Sequence, residues 1–243
     1  MVEQRAARNL TIAVLYPREM NMYGDRGNTL ALVKRAAAHG YDTTVIAVNP
    51  GEELPDADIF LGGGGQDSGQ EIVAADLQLK ADKLRELAAS GVPMLLICGL
   101  YQLFGHCFVT AAGKIMEGIG VLDVETRGGD ARMIGNIVLE SAEFGEIVGY
   151  ENHSGNTVLG AAAVPFGKVL RGAGNNPTDG VEGARFKNVI GTYLHGSLLP
   201  KNPAVSDFLI RVAAERKYGD FVPLARDSKA VTAAREAAMT RPR

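Results

Sequence analysis

The chain has 243 residues, of which 46% are hydrophobic and 22% charged, with a formal net charge of -3 at pH 7. That balance excludes a disordered or coiled-coil chain, and it supplies no overall basic field for a polyanion, so nucleic-acid binding has no compositional support. The two cysteines, Cys98 and Cys107, are too few for a disulfide framework and lack the further Cys/His ligands of a zinc site, so any cysteine chemistry here is catalytic.

The first residues lack the build of a secretory signal, and LTIAVLY at 10–16 reads as the opening strand. TLALVKRAAAHG at 29–40 follows as a helix closed by Gly40, which makes a βα unit. DTTVIAV at 42–48 and DIFLGGGG at 58–65 read as strands, DLQLKADKLRELAASG at 76–91 as a helix, and VPMLLI at 92–97 as a buried strand. Its continuation through GLYQLFG is too short and too rich in Gly, Pro and Gln to cross a bilayer, so no transmembrane segment and a cytoplasmic location are expected. From 119 to 160 the pattern changes to glycine-punctuated alternation, as in RMIGNIVLE and EIVGYENH, which predicts antiparallel strands forming an edge extension. NVIGTYLHGS then predicts a strand ending at a histidine, AVSDFLIRVAAERKYG an amphipathic helix, and the last twenty or so residues a helix or a tail.

Continuous apolar strands separated by helices imply a mostly parallel sheet covered on both faces. The expected fold is therefore α/β, flavodoxin-like or Rossmann-like, with residues 1–243 as one domain.

Cys98 stands between the strand VPMLLI and the segment GLYQLFG, a strand-to-helix turn that would expose a nucleophile at the sheet's C-terminal edge. A helix N-terminus there favours the thiolate and offers N–H groups to an oxyanion. A buried structural thiol is the alternative for Cys98, and it is the simplest reading of Cys107. Among the four histidines, His39 suits a helix C-terminus and His106 a local structural role. His195 follows a strand and would emerge at the same edge as Cys98, which makes it the candidate base, with His153 in YENHSGN as its rival. GGGGQDSG at 62–69 lets backbone approach a ligand, so the N–H groups of Gly64 and Gly65, with Gly99, are candidate oxyanion donors. The chain contains no GxxxxGK[ST] phosphate loop and no visible ATP machinery.

LLICGLYQLFG, with cysteine followed by glycine and YQ, resembles the nucleophile segment of class I glutamine amidotransferases, especially the CobB/CobQ-like branch. MNMYGDRGN at 20–28, GGGGQD, YENHSGN and TYLHGSLLPKNP extend the likeness over most of the chain, toward the glutaminase subunits of lipid II isoglutaminyl synthases. The resemblance implies Cys98 as nucleophile, His195 as general base and acid, Arg132 as the residue that holds substrate glutamine, and Gln102 as a glutamine-site residue. It further implies no metal or organic cofactor in this chain, and a separate MurT-like Mur ligase that binds ATP and Mg, receives the ammonia and amidates the D-glutamate of the lipid II stem peptide.

Two departures stand out: Leu96 replaces the common glycine before the nucleophile, and HGS replaces His-Pro-Glu after the strand, so the orienting acid is missing. A carboxylate from elsewhere, either a partner chain's or Asp25 or Asp67 of this one, is expected to orient His195. The residues also accommodate a standalone cysteine amidohydrolase of flavodoxin-like fold and a noncatalytic binding module with a relic site.

Overall fold

The chain begins with β1 (Arg8–Leu15), α1 (Arg26–Ala38), β2 (Tyr41–Val48), β3 (Ile59–Gly62), α2 (Asp67–Leu79), α3 (Ala81–Ala89), β4 (Met94–Ile97) and α4 (Gly99–Leu103). Short strands β5 (Cys107–Val109) and β6 (Ile115–Glu117) lead into a long hairpin of β7 (Val124–Ser141) and β8 (Gly145–Leu159). Then come β9 (Gly167–Arg171), β10 (Val181–Glu182), β11 (Ala184–Phe186), β12 (Val189–Thr192), α5 (Leu198–Lys201), α6 (Pro203–Tyr218) and α7 (Lys229–Thr240). This computed structural model describes residues 8–195 and 198–241, without the side chains of Tyr23, Asp67 and Ser68.

One sheet has the order β11-β12-β4-β3-β1-β2, parallel from β2 to β12 with β11 antiparallel at its edge. Ignoring that edge, the order is the doubly wound 2-1-3-4-5 arrangement of flavodoxin-like folds, as expected from the sequence. Period-2 alternation decides which helices cover each face. Ala13, Leu15, Phe60, Met94, Leu96 and Val189 pack with α2, α3 and α4 in one apolar cluster. Leu10, Ile12, Leu61, Leu95, Ile97 and Ile190 point the other way, into a cluster with α1, α5 and α6. Both faces are thus buried, which is why these strands read as unbroken apolar runs.

The helix expected over 76–91 is two helices that break at Lys80, whose N–H caps α2 on the carbonyls of Leu77 and Gln78 while its ammonium pairs with Asp76. The glycine-punctuated segments are antiparallel as expected, and they form a second sheet, β10-β9-β7-β5-β6 with β8 on β7, instead of extending the edge of the first. The reason is length: 18- and 15-residue strands pair with each other along a hairpin far longer than the four-residue strands β3, β4 and β12 of the parallel sheet. A bridge between Glu151 and Leu194 ties this sheet to the end of β12.

α6 ends at Gly219 in the left-handed conformation, and the C-terminal segment forms α7, capped by the Ser228 hydroxyl. His39 is the C-cap of α1, as expected, and its ring also clips distant segments together. Its Nδ1 accepts the backbone N–H groups of Leu224 and Ala225 at 3.0 and 3.2 Å, and its Nε2 faces Asp207 at 2.8 Å. Among the described residues no helix is long and apolar enough to cross a membrane.

Candidate active site

β3, β4 and β12 end together at the C-terminal edge of the parallel sheet, and the turns that follow them bring Gly64, Cys98 and His195 into one place. Cys98 adopts φ 50° and ψ -100°, a strained conformation for a residue with a Cβ. Its N–H donates to the Thr192 carbonyl at 2.8 Å, and its own carbonyl accepts the Gln102 N–H at 3.0 Å, so the turn is pinned on both sides. The strained turn expected from the strand-cysteine-helix order is present.

The His195 side chain is almost wholly buried, with Nδ1 3.5 Å from Asp25 Oδ1. Burial acts to lower its pKa, but hydrogen bonding to Asp25 and to Cys98 and the charges of those two groups outweigh it and push the imidazole up to about 10. Asp25, at the start of α1, is itself buried and accepts the Gly64 N–H through Oδ2 at 2.7 Å. Among the described side chains it is therefore the carboxylate that meets His195. The Asp67 side chain, the other candidate, lies outside the described residues, as does Ser197, which stands where the usual glutamate would be.

Gly64 lies against Cys98 and His195 together: a Cβ there would stand 2.8 Å from His195 Cε1 and 3.0 Å from Cys98 Cβ. Gly64→Ala is expected to push the imidazole out of line and cost on the order of 100-fold in turnover, and to lower the thermal midpoint because overpacking a buried site costs about 1–3 kcal/mol, as read by activity and calorimetry. The Gly64 N–H is already donated to Asp25, so it is not the free oxyanion donor that the glycine run suggested. The Gly65 nitrogen lies 3.2 Å from where a Cβ on Gly99 would stand, so the backbones of these two glycines are close neighbours.

A cavity of about 450 Å³ opens from the dyad toward the β7–β8 hairpin, walled by Cys98, His195, Gln70, Gln102, His153 and Arg132. Arg132 sits in the irregular stretch of β7 where the register with β8 shifts between Gly128 and Met133, and its Nε donates to Asn152 Oδ1 at 2.6 Å. Gln102 reaches the wall with its amide in use: its oxygen accepts from Gln70 Nε2 at 2.8 Å and its nitrogen donates to the Tyr193 hydroxyl at 3.1 Å. That network continues from Tyr193 to Thr157 and Thr126, at 2.6 Å each step. Gln70 escaped the sequence reading because the helix carrying it was expected to begin six residues later, at Asp76. His153 is also in the wall, stacked on Tyr193, whereas His106 pairs with Asp123 on the surface and half-buried Cys107 lies on β5, its thiol pushed up chiefly by burial.

The strand that delivers His195 is held from below by Glu182, a fully buried carboxyl that accepts the Tyr193 N–H at 2.6 Å and the Thr192 hydroxyl at 2.9 Å. Burial pushes Glu182 up to about 8. The folded chain thus holds a proton that the unfolded chain has released between pH 4.5 and 8, so stability is greatest below that window and falls as pH rises through it. Glu182→Gln is expected to flatten this dependence, removing a loss on the order of a few kcal/mol, as measured by denaturant midpoints at pH 5 and 8.

A model of the CobB/CobQ-like glutamine amidotransferase domain matches residues 11–203. The chain is 39% identical over 234 residues to the lipid II isoglutaminyl synthase (glutamine-hydrolyzing) subunit GatD of Staphylococcus aureus, covering 96% of each. It is also 39% identical over 219 residues to the GatD subunit of Streptococcus pneumoniae, covering 88% of this chain and 84% of that one. Among solved structures, a glutamine amidotransferase superposes with a TM-score of 0.61 at 15% identity, over 84% of this chain and 98% of the other, a likeness of fold. With its strained cysteine, buried histidine and this extent of similarity, the chain belongs to the CobB/CobQ-like glutamine amidotransferase family.

Proposed function

We propose that this chain is a glutaminase subunit that hydrolyses L-glutamine to glutamate and ammonia through a Cys98 thioester and passes the ammonia to a separate ligase. The observation that carries the reading is the meeting of Cys98, His195 and Asp25 at the head of a cavity whose far wall bears Arg132.

The Cys98 sulfur attacks the γ-carbonyl carbon of glutamine, and the oxyanion is met by the N–H groups of Gly65 and Gly99. His195 gives its proton to the departing nitrogen, the C–N bond breaks, and ammonia leaves a γ-glutamyl thioester. Water then attacks the thioester while His195 takes its proton, the C–S bond breaks, and glutamate is released. Asp25 keeps the hydrogen of His195 on Nδ1 and Nε2 toward the sulfur. Arg132 binds the substrate α-carboxylate, as a guanidinium fork suits a carboxylate. Gln102, with its amide in use, acts by holding Gln70 and Tyr193 in the cavity wall.

The acceptor is the D-glutamate of the lipid II stem peptide, amidated by a MurT-like Mur ligase that supplies ATP and Mg, which places the pair in the cytoplasm at the inner face of the membrane. The near full-length match to relatives that are named as subunits of such a synthase supports this reading. The test is intact-mass labelling by a glutamine-mimicking electrophile. Single labelling that is lost in Cys98→Ala and blocked by excess glutamine is expected, with glutamine-dependent amidation of lipid II once the ligase is added. Labelling that ignores glutamine overturns the glutaminase reading, and labelling without amidation overturns the choice of acceptor.

A further inference from the structure

His153 lies on β8, buried in the wall of the cavity that holds Cys98. Its ring is stacked flat on Tyr193, with centroids 3.5 Å apart and planes within 3°. Nδ1 is 2.9 Å from the Gly155 carbonyl oxygen. A carbonyl only accepts, so Nδ1 carries the hydrogen, and in the neutral ring Nε2 is left as a lone pair. Burial is the chief reason the ring is neutral, pushing it down to about 3. The Gly155 and Gly174 carbonyls oppose that shift, and the nearby His195 and Arg132 add to it. Nε2 is buried and makes no hydrogen bond within the described protein. A buried acceptor left without a donor costs about 1–3 kcal/mol, and such groups are rare enough to need a reason.

We propose that His153 Nε2 accepts a hydrogen bond from the α-ammonium of bound glutamine, an inference that rests on the glutaminase reading of this cavity. Glutamine has three polar ends. On that reading the γ-amide lies at Cys98 and the α-carboxylate at Arg132, so the α-ammonium, on the same carbon as the carboxylate, falls near Arg132 and needs a hydrogen-bond acceptor there. His153 is placed for this: it pairs with Met133 across the hairpin, the residue next to Arg132. Of the other side-chain acceptors in the wall, Asn152 Oδ1 is taken by Arg132 and Gln102 Oε1 by Gln70. A charged imidazole would repel the ammonium, whereas this one is neutral above about pH 4.

The test compares L-glutamine with 4-carbamoylbutanoate, which keeps the amide and the carboxylate and lacks the amine, using the full chain with its ligase subunit. His153→Phe keeps a ring to stack on Tyr193 and removes the acceptor. It is expected to lower kcat/KM for glutamine by about 10- to 100-fold, mostly through KM, and to change hydrolysis of the analogue by no more than about 3-fold. His153→Gln, which retains an acceptor, is expected to recover much of the glutamine activity and carries the comparison if the Phe variant does not fold. Equal losses on both substrates assign His153 a purely structural role and overturn the inference, as does a wild type that treats the two alike. A wild type that hydrolyses neither overturns the glutaminase reading and this inference with it.

Discussion

Cys98→Ala is expected to abolish glutamate release, by at least about 10⁴-fold in kcat, while the chain stays folded. The proposed pathway runs through a bond to this sulfur, and half-buried Cys107, on β5 and absent from the cavity wall, is not placed to substitute for it. The substitution also separates chemistry from stability. At φ 50° and ψ -100° the backbone is strained for alanine as much as for cysteine, since the penalty comes from the Cβ. Cys98→Gly removes that Cβ and is expected to be about 1 kcal/mol more stable than Cys98→Ala in denaturant melts, after allowing for glycine's greater freedom when unfolded. Equal stability of the two variants shows that the turn stores no strain, and residual turnover in either places the nucleophile elsewhere.

Asp25→Asn is expected to cut kcat by about 10²- to 10⁴-fold with KM nearly unchanged. The two carboxylate oxygens serve different donors: Oδ2 takes the Gly64 N–H at 2.7 Å and Oδ1 faces His195 Nδ1 at 3.5 Å. An asparagine has one oxygen for these two positions. If its oxygen keeps the Gly64 N–H, its NH₂ meets His195 Nδ1, which must become an acceptor, and the ring hydrogen then moves to Nε2, where the thiol proton has to be received. The variant also removes a negative charge that holds the imidazole near 10, so the pH above which His195 deprotonates is expected to fall. A rate-against-pH profile that keeps its alkaline limit in Asp25→Asn contradicts this role for Asp25.

The central parallel strands β3, β4 and β12 were legible because burial on both faces turns each into an apolar run that stops at the sheet edge. The same edge made Cys98 and His195 legible, since a residue just past a parallel strand has a known place in space. Pairing was less legible. The alternation in residues 119–160 marks strands without naming their partners, so a second sheet looked like an extension of the first. For the carboxylate beside His195 the sequence offered Asp25, Asp67 or a partner chain's residue, and no choice between Asp25 and Asp67. Choosing between them takes the packing of the β1–α1 connection against the end of β12, a contact between residues 170 positions apart in the chain. Polar networks are hidden for the same reason. Nothing local to Gln70 or Tyr193 announces that they meet across Gln102.

The place of β12 in the sheet has a consequence for how the polypeptide is made. Met94 of β4 takes Val189 as its lateral neighbour, so during synthesis β4 presents an apolar, unpaired edge while the whole β5–β10 region is still being translated. The hairpin of β11 and β12 closes that edge, and the same event brings His195 to a cysteine and an aspartate that have already left the ribosome. Any nascent chain halted before Val189 therefore lacks the meeting of His195 with Cys98 and is prone to aggregate, and that meeting reports that the sheet is complete.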